Sequence, residues 1–170
     1  MIIPIATLIA VLVMMLAELW LSRSNERWMF DHGAVAPLDP VYSTMRWAYP
    51  GAFIAMAVEG VIVGGPSEGA ALAGVIVLVL AKAVKFWAIA SLGKRWTYRV
   101  LVVPGAPLVA SGPYRLMRHP NYVGVVGELI AMALLSSARV TGPVALIGFG
   151  WLLIQRISAE ERALGLRTNT

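Results

Sequence analysis

The stretch that decides the fold is residues 122–155, which read YVGVVGELIAMALLSSARVTGPVALIGFGWLLIQ. Two apolar runs, 122–137 and 140–155, are separated only by Ala138 and Arg139, which leaves room for a tight turn and nothing more. Connections this short join antiparallel helices. We therefore predict a C-terminal helical hairpin whose two free ends return to the same face of the molecule.

The rest of the chain shares this apolar character. Of its 170 residues, 59% are hydrophobic and 14% are charged, whereas soluble globular proteins have roughly 45–50% and about 25%. A helix that crosses a bilayer needs roughly 20 apolar residues. The composition excludes an ordinary soluble domain and predicts a single, all-α, polytopic integral membrane domain over residues 1–170.

Three further apolar runs precede the hairpin and are predicted to cross the membrane: residues 1–21, 48–64 and 69–92. With the hairpin they make a bundle of about five transmembrane helices. The N-terminal spans then occupy 1–91, and 92–170 contain a long loop, the hairpin and a C-terminal helix. The polar stretch 22–44 is predicted to be a loop, and the motif Gly-Gly-Pro at 64–66 should stop the second span.

The basic residues sort to one side of this arrangement. Eleven of the fourteen Lys and Arg fall on one face, namely Arg23, Arg27, Arg46, Lys94, Arg95, Arg99, Arg115, Arg118, Arg156, Arg162 and Arg167. Only Arg139 falls on the other face. By the positive-inside rule the first face is cytoplasmic and the N-terminus lies outside. Topology thus explains the net charge of +5, and no nucleic-acid partner is expected.

Cysteine and histidine usage narrows the chemistry. The chain contains no cysteine, so disulfides, thiolate nucleophiles and zinc–thiolate sites are excluded. Its two histidines are His32 and His119, too few for a histidine-built metal site, and no metal is expected. His32 is predicted to be a loop residue without an assigned task.

The long loop is the most informative segment. Residues 92–127 read LGKRWTYRVLVVPGAPLVASGPYRLMRHPNYVGVVG, with too many glycines and prolines for one helix and too many apolar residues for a free linker. We predict that it folds back as a cap on the bundle. Pro120 suits the first turn of the fourth span. Arg115 and Arg118 flank that helix start, which makes either an anion site or a pair of interfacial anchors.

A second polar cluster follows the hairpin. Arg156 and Glu160 are four residues apart and share one helix face, where they form either a weak exposed ion pair or part of a pocket. The hairpin returns them to the rim where the fourth span begins, close to His119, Asn121 and Tyr122. A pocket that carries both charges suits a zwitterionic small molecule.

Ionisable residues inside spans are candidates for function. Glu128 and Lys85 lie at similar depth in the fourth and third spans, where they form either a structural pair or part of the chemistry, and Lys82 poses the same choice. Glu18 is predicted to join Arg23 or Arg27 at the interface. Glu59, near the outer end of the second span, is predicted to be interfacial.

The run GPYRLMRHPNYVG at 112–124, followed by a hairpin and then R-x-x-x-E-E at 156–161, resembles the isoprenylcysteine carboxyl methyltransferase family and its relatives among phospholipid methyltransferases. The resemblance covers 92–135 and 156–164. Residues 92–115 are similar to the bacterial branch, whose members are associated with O-methylation of long-chain polyketide pyrones and phenols.

The resemblance implies transfer of a methyl group from S-adenosylmethionine to the carboxylate or hydroxyl of a lipid-like acceptor, of isoprenylcysteine type or a long-chain polyketide, at a bacterial inner membrane. By the same resemblance, the cofactor is held by Leu108, Val109, Tyr114, His119, Pro120, Asn121, Tyr122 and Glu160. The resemblance also implies that Arg156 contacts the acceptor. Separately from the resemblance, we predict that Glu128 accepts a proton if the acceptor is a hydroxyl. The expected partners are a lipophilic or prenylated acceptor and membrane lipid, with no obligate protein partner.

The residues themselves agree with this cofactor. S-adenosylmethionine carries a carboxylate, an ammonium and a sulfonium, which call for an anion site, a carboxylate and electron-rich surroundings. The helix start at Pro120, the side chain of Glu160 and the rings of Tyr114 and Tyr122 offer these three features.

Two other functions fit part of the sequence. Integral-membrane sterol-type reductases have a similar RHPNY segment and bind NAD(P)H, but no second basic cluster here serves a 2'-phosphate and R-x-x-x-E-E favours the methyltransferase. A non-catalytic membrane scaffold would keep the spans and the charge asymmetry, but would not need Tyr114, His119, Asn121 and Glu160 together.

Overall fold

The computed structural model describes residues 2–166, which leaves Arg167 outside the described range. Within it the chain forms five α-helices: α1 (Ile2–Asp31), α2 (Tyr42–Ile62), α3 (Glu68–Leu92), α4 (Pro120–Ser136) and α5 (Thr141–Ala163). Two 3-10 turns, Gly93–Arg95 and Gly112–Arg115, lie between α3 and α4. No β-strand forms between residues 2 and 166, so the all-α prediction is confirmed.

The polar stretch 22–44, predicted to be a loop, is mostly helical. Residues 22–31 contain neither glycine nor proline, and α1 continues through them to end before Gly33, whose φ of +79° suits glycine. Because α2 already begins at Tyr42, the connection between the two helices is only 32–41.

The segment 93–119 caps one end of the bundle, as predicted. Trp96 is buried within it, and the backbone oxygen of Trp96 accepts a 2.7 Å hydrogen bond from the Asn25 amide on α1. Val35 and Val102 form an antiparallel bridge with N–H to oxygen distances of 2.8 and 3.0 Å. The α1–α2 and α3–α4 connections are therefore joined to each other at this end.

The predicted C-terminal hairpin is also confirmed. Pro120 is the first residue of α4, and Ser137, with φ of +49°, ends the helix just before the turn. The carboxylate of Glu59 accepts hydrogen bonds from the N–H groups of Val140 (3.0 Å) and Thr141 (2.7 Å). Glu59 therefore caps the start of α5 and ties α2 to the hairpin, a more specific role than the interfacial one expected.

Helices α3 and α4 pack closely because glycines line their contact. A Cβ atom at Gly124 would lie 2.8 Å from Cβ of Lys85, and one at Gly127 would lie 2.7 Å from Cβ of Ala81. Only hydrogen fits at these two positions, so the backbones approach without side chains between them.

Four buried charges meet between α1, α3 and α4, and we call them the four-charge cluster: Glu18, Lys82, Lys85 and Glu128. Lys85 lies 2.7 Å from Glu18 and 3.1 Å from Glu128, and Lys82 lies 3.1 and 3.0 Å from the same two carboxylates. Lys85 and Glu128 therefore pair, which was one of the two alternatives that the sequence left open. The prediction that Glu18 joins an arginine at the interface is wrong, because its carboxylate pairs with Lys82 and Lys85 of α3 instead.

Within residues 2–166, three helices are long and apolar enough to cross a membrane by length and composition: α1, α3 with the turn that follows it, and α5. The 17-residue α4 is apolar but shorter. The protein is an integral membrane protein of helical type, and the count of five crossings stays a prediction.

Candidate functional site

A cavity opens where the cap meets the start of α4 and the last turns of α5. Six of the residues that the sequence placed in the site line it together: Tyr114, His119, Asn121, Tyr122, Arg156 and Glu160. The two polar clusters, separated by the hairpin in sequence, therefore converge in space, which is the arrangement the sequence predicted.

The residues at the start of α4, His119, Asn121 and Tyr122, line this cavity. His119 precedes Pro120 with φ of −128° and ψ of 58°, outside the helical region, and no side chain caps the helix. Pro120 has no N–H, and the N–H groups of Tyr122 and Val123 donate to the backbone oxygen of His119 at 3.1 and 3.4 Å. Asn121 is held in place because the Trp96 indole N–H donates to its Oδ1 at 3.3 Å.

Tyr122 links the two charged residues of α5. Its hydroxyl donates to Glu160 Oε2 at 2.8 Å and accepts from Arg156 Nε at 3.0 Å. The direct exposed ion pair between Arg156 and Glu160, one of the sequence-based alternatives, is replaced by this part-buried bridge. Arg156 is only 6% exposed.

The acidic end of α5 also meets the residues just before α4. His119 Nε2 lies 3.3 Å from Glu161 Oε1, and His119 Nδ1 lies 3.7 Å from Glu160 Oε2. Arg118, largely exposed, lies 3.7 Å from Glu161. Glu161 was not assigned to the site from sequence, although it is the second glutamate of the R-x-x-x-E-E motif.

Arg156 has further partners that sequence reasoning missed. Its NH1 lies 3.0 Å from Asp39 Oδ2 in the α1–α2 connection, and its NH2 donates to the backbone oxygen of Tyr98. Pro37 and Pro40 lie on either side of Asp39 and restrict the backbone there. These two prolines are the feature of the sequence that could have indicated a fixed position for the Asp39 carboxylate. Every nitrogen of the guanidinium therefore has a partner.

The cavity is cationic at its rim and holds a protonated phenol inside. Arg95 and Arg99 join Arg118 in its lining. Burial, with a smaller contribution from the negative charge of Glu160, raises the pKa of Tyr114 well above its ordinary value. Tyr114 therefore stays protonated and available as a hydrogen-bond donor.

Four predicted site residues do not line the cavity. Leu108 is half exposed, Val109 lies beside it in the connection, and Pro120 is buried at the start of α4 without facing the cavity. Glu128 is fully buried in the four-charge cluster, where it also accepts a 2.5 Å hydrogen bond from Tyr49. Glu128, which the sequence analysis predicted to be a proton acceptor, therefore lies away from the cavity.

Known proteins are similar to this chain in sequence. Residues 74–165 match the family model described as "Isoprenylcysteine carboxyl methyltransferase (ICMT) family". The chain is 34% identical over 158 residues to "Uncharacterized protein YpbQ" of Bacillus subtilis (strain 168), covering 92% of this chain and 94% of that protein. It is 33% identical over 92 residues to an "Uncharacterized protein" of Haemophilus influenzae (strain ATCC 51907 / DSM 11121 / KW20 / Rd), covering 54% of each. No solved structure matches significantly. The chain belongs to the isoprenylcysteine carboxyl methyltransferase family, which implies a membrane methyltransferase.

Proposed function

We propose that the protein transfers a methyl group from S-adenosylmethionine to the carboxylate or hydroxyl of a lipid-like acceptor. The observation that carries the proposal is the 2.8 Å hydrogen bond between Tyr122 and Glu160. It joins the start of α4 to the end of α5 around one cavity that holds both a carboxylate and a helix start.

The residues present fit the cofactor. The carboxylate of Glu160 would hold the ammonium of the methionine portion, and Arg118, beside the positive end of the α4 dipole, would hold its carboxylate. The rings of Tyr114 and Tyr122 would face the sulfonium. When bound, the cofactor supplies an electrophilic methyl group on a positively charged sulfur.

The chain's own task is to align the acceptor and to exclude water, because methyl transfer is an in-line displacement that needs alignment more than a protein nucleophile. Arg156, buried at the cavity wall, engages Tyr122, Asp39 and Tyr98 through one N–H each, and the two remaining N–H groups of its five would hold an acceptor carboxylate or an ionised hydroxyl. We assign Glu128 to the four-charge cluster rather than to proton transfer, since two ammonium groups and a phenol already engage its carboxylate.

The apolar helices determine how the two ligands arrive. A prenylated or long-chain acceptor would enter laterally from the bilayer, since large apolar side chains such as Leu116 and Trp87 are exposed near the capped end. The cofactor would enter from the aqueous side. By the positive-inside rule this side is the cytoplasm and the N-terminus lies outside. Both relatives come from bacteria, which supports a bacterial inner membrane as the location.

Calorimetry on the detergent-solubilised protein tests the proposal. We expect binding of S-adenosylhomocysteine and none of NADPH. Glu160→Gln should weaken that binding at least about tenfold, the loss expected when a hydrogen bond to a charged group is removed. Glu68→Gln, at the exposed start of α3, is the matched control and should bind like the wild type.

Other outcomes contradict the proposal. Binding of NADPH alone would indicate a reductase, and binding of neither ligand would favour a scaffold. Normal affinity in Glu160→Gln would remove Glu160 from the site. If S-adenosylhomocysteine binds as expected, incubation of the protein with a labelled methyl donor and total lipid extract, followed by mass spectrometry, would identify the acceptor.

A further inference from the structure

We propose that Asp39 sets the charge balance of the donor site, by neutralising Arg156 so that a cationic sulfonium is accepted beside a buried guanidinium. The inference rests on the proposed use of S-adenosylmethionine and adds a residue from a part of the chain that the family match over residues 74–165 does not include.

The geometry makes Asp39 the direct counter-ion of Arg156. The carboxylate Oδ2 lies 3.0 Å from NH1, and the two side chains are only 9% and 7% exposed. The other two guanidinium nitrogens contact neutral groups, namely the hydroxyl of Tyr122 and the backbone oxygen of Tyr98. Asp39 therefore carries the negative charge that compensates the arginine within the described structure.

Asp39 is also fixed by its own backbone surroundings. Its Oδ1 accepts a 3.1 Å hydrogen bond from the Tyr42 N–H at the start of α2. One oxygen thus caps a helix while the other reaches the guanidinium. The two contacts together fix the distance between the Asp39 carboxylate and Arg156. Mutagenesis can separate them, because the amide oxygen of asparagine can still cap the helix but carries no charge.

The cavity needs such compensation. Its lining includes four arginines, Arg95, Arg99, Arg118 and Arg156, against the single carboxylate of Glu160. Exposed charges at the rim are screened by solvent, but a buried guanidinium is screened far less. Without Asp39, Arg156 would repel the sulfonium through a medium of low dielectric.

Comparing the affinities of the methyl donor and its product measures the charge effect of Asp39 directly. S-adenosylmethionine carries a positive sulfonium, whereas S-adenosylhomocysteine has a neutral thioether in the same position. A purely structural role for Asp39 would weaken both ligands alike. A charge-balancing role changes the ratio of their affinities.

The experiment compares the dissociation constants of both ligands by calorimetry for wild type, Asp39→Asn and Asp31→Asn. We expect Asp39→Asn to reduce the preference for S-adenosylmethionine over S-adenosylhomocysteine about tenfold, the effect of one unit charge at ~12 Å in an effective dielectric of about 20. Asp31→Asn removes the same charge from the exposed end of α1 and should leave the ratio unchanged.

Two further variants keep the inference testable if Asp39→Asn does not fold. Arg156→Gln leaves the carboxylate uncompensated and should shift the ratio in the opposite direction. The double variant Asp39→Asn/Arg156→Gln removes both charges and should return the ratio to the wild-type value.

The outcomes separate the two proposals. A wild type that binds both ligands, with an unchanged ratio in Asp39→Asn or in Arg156→Gln, overturns the role of Asp39 and leaves the proposed function intact. A wild type that binds neither ligand overturns both. A changed ratio in Asp39→Asn that the double variant reverses supports the inference.

Discussion

Replacing Glu128 by glutamine removes one negative charge from the four-charge cluster and almost nothing else. The carboxylate is fully buried, lies 3.0 Å from Lys82 and 3.1 Å from Lys85, and accepts a hydrogen bond from Tyr49. Glutamine has nearly the same size, but it leaves two lysines to share Glu18. The variant therefore holds one uncompensated positive charge inside the bundle.

The expected cost follows from that burial. Breaking a buried ion pair by removing one partner costs about 3–5 kcal/mol of unfolding free energy. A chain of this length loses about 2–4 °C of melting temperature per kcal/mol, so the melting temperature should fall by roughly 6–20 °C. Intrinsic tryptophan fluorescence during heating in detergent measures the shift, with Glu68→Gln as the exposed control.

A compensating variant sharpens the test. Lys82→Met together with Glu128→Gln removes one charge of each sign and leaves Lys85 beside Glu18 at 2.7 Å. It should recover most of the lost stability. The reasoning is refuted if Glu128→Gln melts at the wild-type temperature. A stable but inactive Glu128→Gln would instead return this residue to the chemistry.

Two other substitutions probe the site and the packing. Tyr122→Phe removes the hydroxyl that orients Glu160 and should weaken S-adenosylhomocysteine binding about tenfold in calorimetry, because the lost hydrogen bond is to a charged group; an unchanged affinity would show that Glu160 needs no such support. Gly60→Ala should lower stability by about 1–3 kcal/mol, since the new Cβ would lie 2.6 Å from the backbone oxygen of Ser136. Gly51→Ala, which meets open space in the same helix, is the control, and equal melting temperatures of the two alanine variants would contradict the packing argument.

The parts of the site that the sequence predicted correctly depend on local signals. A two-residue gap between two apolar runs requires antiparallel helices, and Pro120 has a well-defined place in the first turn of one of them. These two constraints bring Tyr122 and Glu160 to one rim, and the structure has them in contact. No long-range information was needed for that prediction.

The parts that could not be predicted depend on pairing between distant segments. The sequence does not show that Asp39 reaches Arg156, because their separation is set by how α1, α2 and the cap fold together. Glu18 was assigned to nearby arginines on proximity along the chain, whereas its partners are two lysines on α3. The polarity of residues 22–31 indicated a loop, but polar side chains of a helix can be buried against the cap, as Asn25 is.

The pairing of Val35 with Val102 has a consequence for how the two connections can vary. Two backbone hydrogen bonds join them in one register, so adding or deleting a residue immediately beside either valine would shift one loop against the other and displace Asp39 or Tyr98 from Arg156. Length variation in these loops is therefore expected to concentrate at 104–111, after the bridge, where the chain lies mostly at the surface.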